Sequence, residues 1–70
     1  MNSAAIQELL QKRPFEPFEV RLSNGEVHQV RHPECVWLAG TRLFVYYPEN
    51  DRVTICSLIH LNSVHILQAA

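Results

Sequence analysis

FEVRLSNGEVHQV, residues 18–30, decides the fold. Phe18, Val20 and Leu22 alternate with Glu19, Arg21 and Ser23. That period of two gives an extended strand one apolar face. Asn24-Gly25 then supplies residues tolerant of positive φ, where a hairpin must turn. The loop length sets the register. A two-residue turn would oppose Leu22 to Val27 but Val30 to Glu19, splitting the apolar residues between the two faces. A three-residue loop, Ser23-Asn24-Gly25 with Gly25 in the left-handed position of a bulge, opposes Phe18 to Val30 and Val20 to His28. The longer loop is expected, because it keeps Phe18, Val20 and Val30 on one side.

Upstream, Asn2 or Ser3 can cap a helix in which Ile6, Leu9 and Leu10 form one apolar stripe, and Pro14 ends it. Such a short helix is unstable alone, so the rest of the chain must cover its stripe. Downstream, Pro33 cannot donate to a ladder and pushes His32 toward extended backbone, so the second strand stops or bends there. Residues 35–39 make a third strand, Gly40 a tight turn and residues 41–47 a fourth strand. Residues 48–51 turn into a strand over 52–56, residues 57–62 have room for one helical turn, and 63–67 make a last short strand. The expected fold is mainly β with one N-terminal helix. It is a small SH3-like barrel of five to six bent antiparallel strands, with the closing strand beside the first. Residues 1–70 form one domain, the helix over 2–13 and the barrel over 17–67.

Two resemblances accompany this pattern. The stretch RPFEPFEVRLSNG together with VRHPE resembles a group of small bacterial proteins of planctomycete type, which share a helix, a PFxPF lead-in, an S-[ND]-G turn and a V-R-H-P step. That resemblance implies no particular activity. The order of helix, bent strands, short turn and a final strand ending near SVHIL is also similar to Sm-like proteins, including the bacterial Sm-like RNA chaperone. It implies an Sm-like barrel, self-association and RNA as a partner. The chain lacks a basic Tyr-Lys-His-type motif before the last strand and has SLIHLNS in its place, with His60 the one candidate there.

Composition narrows the function classes. Six basic and seven acidic side chains give a net charge of −1, so no global field draws in nucleic acid or an anionic membrane. No apolar run is long enough to span a bilayer, and Gln7, Glu8 and Gln11 break up any signal-peptide pattern in MNSAAIQELLQKR. Two cysteines, Cys35 and Cys56, are too few for a disulfide framework; a reduced, cytoplasmic chain is expected. They read as small buried hydrophobes rather than nucleophiles, and with two glycines and a small barrel there is little to build an oxyanion hole or deep pocket. No enzyme, no cofactor and no small-molecule substrate are expected.

Three sets of residues remain as candidate sites. His28, His32 and Cys35 have zinc-ligand chemistry, with His60, His65 or Cys56 to complete a set of four. On an extended strand, however, His28 and His32 stand about 13 Å apart, so the expectation is no metal. Arg21, Arg31, Arg42 and Arg52 fall on different strands and, with His60, suit a phosphate-binding stripe for single-stranded RNA. Trp37 or Tyr46 would stack on bases. Interleaved Glu19, Glu26, Glu34 and Asp51 suit cross-strand ion pairs equally well. The third set is an excess of apolar surface. CVWLA is apolar on both faces, and the next strand puts Leu43, Val45 and Tyr47 on one side and Phe44 and Tyr46 on the other. One side fills the core. The stripe Ile6, Leu9 and Leu10 can cover part of the other, leaving Trp37, Phe44 or Tyr46 to meet a partner. The functional expectation is an interaction module, a homo-oligomer or an adaptor for another protein, with Sm-like RNA binding as the alternative.

Overall fold

The computed structural model describes residues 3–67. Helix α1 (Ser3–Gln11) precedes β1 (Phe18–Leu22) and β2 (Val27–Val30). A 3-10 turn, Pro33–Cys35, leads to β3 (Val36–Ala39), β4 (Arg42–Tyr47) and β5 (Arg52–Ser57). A second 3-10 turn, Leu58–His60, leads to β6 (Leu61–Ile66). The strands pair antiparallel in two three-stranded sheets, ordered β2-β1-β6 and β3-β4-β5. The last strand lies beside the first, as the pattern requires. Of the two capping residues, Asn2 lies outside the described residues and Ser3 is the first residue of the helix.

The hairpin takes the three-residue loop. Phe18 opposes Val30 and Val20 opposes His28, the Leu22 amide donates to Glu26 O (2.9 Å), and Gly25 has φ +93°. A side chain at that φ costs about 1–2 kcal/mol, which is why the loop needs glycine there. Asn24 shapes the same turn, its Oδ1 accepting from the Glu26 amide at 2.9 Å. Phe18, Val20 and Val30 share one face and are essentially fully buried.

The core lies between the sheets. Phe18, Val20, Leu22, Val30 and Leu61 enter it from the first sheet, and Val36, Leu43, Val45 and Cys56 from the second. Leu58 in the second 3-10 turn closes one end. Ile6 of α1 is completely buried in the same cluster, with Leu9 and Leu10 partly buried against it. The helix therefore spends its stripe on this core. It stops at Gln11, ahead of Pro14, where Arg13 Nη1 donates to the carbonyls of Leu10 (2.9 Å) and Lys12 (2.8 Å).

Several boundaries move from the sequence expectation: α1 ends at Gln11 rather than residue 13, β4 starts at Arg42 rather than residue 41, and β6 ends at Ile66 rather than residue 67. Cys35 belongs to the 3-10 turn, because Pro33 starts a tight turn whose Cys35 amide reaches the His32 carbonyl (3.1 Å). β5 extends through Ser57, which pairs with Arg42. β6 starts at Leu61 rather than residue 63, because a bulge between Arg21 and Leu22 lets Leu61 oppose Leu22 and enter the core.

Candidate interaction surface

The second sheet is apolar on both faces, and only one of them meets the core. On the other, Trp37 opposes Phe44, Phe44 opposes Ile55, and Tyr46 opposes Val53. Trp37, Ile55 and Val53 are 55 %, 56 % and 54 % exposed, and Phe44 and Tyr46 are partly buried. Five apolar or aromatic side chains in adjoining pairs on one face form a contiguous patch, which isolated exposed residues would not. β3 and β5 are the edges of this sheet, so the patch runs from edge to edge.

Of the residues expected at an interface, Trp37, Phe44 and Tyr46 fall on this face together. Ile6, Leu9 and Leu10 do not. Ile6 has no exposed surface and belongs to the core cluster that both sheets share, not to the outward face. Val53 and Ile55 complete the patch. Their signal was in the sequence: in RVTICS they alternate with Thr54 and Cys56, the latter buried.

Polar groups lie mostly around the patch. Tyr46 Oη donates to Asp51 Oδ1 at 3.0 Å, which pushes the Tyr46 phenol above its ordinary value. Asp51 holds φ +56° in the turn before β5, a conformation that Asp tolerates better than most residues.

The arginines are dispersed. Arg21 on β1 donates through Nε to Glu19 Oε2 (2.8 Å), an ion pair along one strand. Arg31, just past β2, donates to Gln29 Oε1 (2.9 Å). Arg42 and Arg52 stand at opposite ends of the β4–β5 hairpin, opposing Ser57 and Tyr47 respectively. Arg42 and His60 do come together, lining an open groove of about 670 Å³ between the β1–β2 turn and the β5 edge, with Glu26 in the same wall.

The histidines separate in the same way. His28 points between the sheets, and its Nδ1 is 2.5 Å from Tyr47 Oη on β4. Its Nε2 is buried and lies 3.5 Å from Glu26 Oε1, beyond good hydrogen-bond length. The ring nitrogen and the Tyr47 hydroxyl share this hydrogen bond in either imidazole tautomer. His28 thus links β2 to β4. His32 is exposed in extended backbone ahead of the 3-10 turn, and His65 pairs with Ser63 on β6 (3.0 Å). Among the described residues, no three His, Cys, Asp or Glu side chains converge where they could hold a metal ion. Cys35 and Cys56 are both free thiols.

Burial pushes the Tyr47 phenol and the Cys56 thiol above their ordinary values of 10.0 and 9.0. Both groups hold their protons longer folded than unfolded. Their contribution to stability is complete below about pH 9 and is lost as pH rises through the folded values. The urea midpoint is expected to be flat near neutrality and to fall above pH 9, and a Tyr47→Phe/Cys56→Ala chain should fall less. Equal slopes for the two chains would refute the assignment to these groups.

Among the described residues, no helix is long and apolar enough to cross a membrane. No family model, curated protein or solved structure matches the chain.

Proposed function

We propose that the chain is a small non-catalytic interaction module that self-associates through the outward face of the β3-β4-β5 sheet. The observation that carries this reading is the exposed patch of Trp37, Phe44, Tyr46, Val53 and Ile55. Aromatic side chains and a core depleted of charge mark contact surfaces. A small domain also has reason to self-associate, since its single core supplies limited stability. The 3-10 corners, the return of β6 beside β1 and the common core support reading the two sheets as halves of an SH3-like, Sm-like barrel. No catalytic step or cofactor enters this reading.

Association that requires the folded state stabilises that state by mass action. The thermal midpoint is therefore expected to rise with protein concentration between about 1 and 100 µM, by a few degrees for a micromolar dimer. A concentration-independent midpoint would argue for a monomer and against the proposal.

A further inference from the structure

The outward face is not uniform along its strands. Its middle row is the apolar set Trp37, Phe44 and Ile55. One end carries Arg42, flanked by the small residues Ala39 and Ser57. The other carries Tyr46, whose hydroxyl holds the Asp51 carboxylate beside it. Arg42 forms no ion pair among the described residues. Arg52 stands at the same end as Asp51 but alternates with Val53, which puts it on the other side of β5. On the outward face itself Arg42 marks a positive end and Asp51 a negative one, with Arg42 and Tyr46 four residues, about 13 Å, apart along β4 and an apolar row between them.

A surface that meets its own copy does so across a two-fold axis lying in the plane of contact. Two orientations keep the strands aligned. With the axis along the strands, the copies run parallel, and Arg42 faces Arg42 while Asp51 faces Asp51. With the axis across the strands, through the middle row, the copies run antiparallel. Phe44 then lies over Phe44 of the partner, and Arg42 lies over Tyr46 of the partner, next to the Asp51 carboxylate that Tyr46 holds, twice by symmetry. Like charges placed together disfavour the first arrangement, and opposite charges fix the register of the second. We infer that the chain forms a two-fold dimer in which these sheet faces pack with antiparallel strands, Arg42 of each copy against Asp51 of the partner.

Size is consistent with this. Stable interfaces remove about 800 Å² from each partner, about a sixth of the chain's 4779 Å² surface. Stacked sheets lie about 10 Å apart with interdigitated side chains, so Trp37 and Phe44 span the gap and leave the charged ends at the rim. The inference rests on the proposed self-association and adds its geometry.

The test is a set of dimer dissociation constants by sedimentation equilibrium for the full chain, Arg42→Glu, Asp51→Lys and the double variant. Each single reversal puts two like-charge contacts in the homodimer and is expected to weaken it about tenfold. The double variant recreates both pairs in exchanged order and is expected to return to within about twofold of the wild type. Because Asp51 has positive φ, Arg42→Gln, Asp51→Asn and their double give a second cycle without that strain. Its double variant should be no weaker than either single. A tighter dimer for Arg42→Glu, or doubles as weak as the summed singles while the wild type still dimerises, would overturn the antiparallel geometry alone. A monomeric wild type would overturn the self-association reading as well.

Discussion

Phe18→Ala is expected to lose about 3–5 kcal/mol of folding stability, the range for emptying a fully buried phenylalanine site. A domain of 70 residues has roughly 4–10 kcal/mol in all, so this one change removes much of it. Phe18 has no exposed surface. It sits on the central strand of its sheet, opposed by Val30 and Ile66, with the Phe15 ring 6.1 Å away at a tilt. Helix, hairpin and closing strand all meet the cluster around it, so little can collapse into the vacancy. Phe15, only partly buried, should cost clearly less when cut to alanine. Urea unfolding of both variants checks this. A loss below about 1 kcal/mol for Phe18→Ala would mean that the sheets are not packed around it.

Trp37→Ala and Phe44→Ala are each expected to weaken self-association by about 2 kcal/mol or more, roughly thirtyfold in the dissociation constant. The reason is their place in the middle row of the exposed face, where a partner would exclude water from both rings. Trp37 is over half exposed within one chain, so Trp37→Ala should leave the monomer's circular dichroism unchanged. A variant that fails to associate yet keeps its fold separates this role from a core role. Val27→Ala serves as a control. Val27 is also about half exposed, but on β2 in the other sheet, opposite Arg21, and should leave the association intact. Equal effects of Trp37→Ala and Val27→Ala would point away from the β3-β4-β5 face.

Much of this fold can be read from local pattern. The period of two in FEVRL, the Asn24-Gly25 turn and the position of Val30 specify the first hairpin down to its register, because a shift by one residue would turn Val30 to the wrong side. Pro33 marks the end of β2 by its missing N–H, and Gly40 marks the β3–β4 turn with φ +60°. What depended on the relation between sheets was not legible. The His28–Tyr47 contact joins residues 19 apart in sequence on different sheets, and nothing in either residue's neighbourhood announces it. Where the helix would lie was equally open. The stripe of Ile6, Leu9 and Leu10 fits any apolar surface, and it took the core shared by the two sheets. The dispersal of the arginines, by contrast, was available from the turn at residues 48–51. Once Arg52 opposes Tyr47, Arg42 must oppose Ser57 at the far end of the hairpin.

The native mass of the wild-type chain decides whether it self-associates, measured by light scattering after size exclusion at low and high salt, with absorbance at 260 and 280 nm read on the same peak. The chain mass is 8.1 kDa. A mass near twice that value is expected at both salt concentrations, with the absorbance ratio of protein free of nucleic acid, because an apolar contact survives screening. A single-chain mass across the concentration range, or a larger species that carries nucleic acid and dissolves as salt rises, would contradict it.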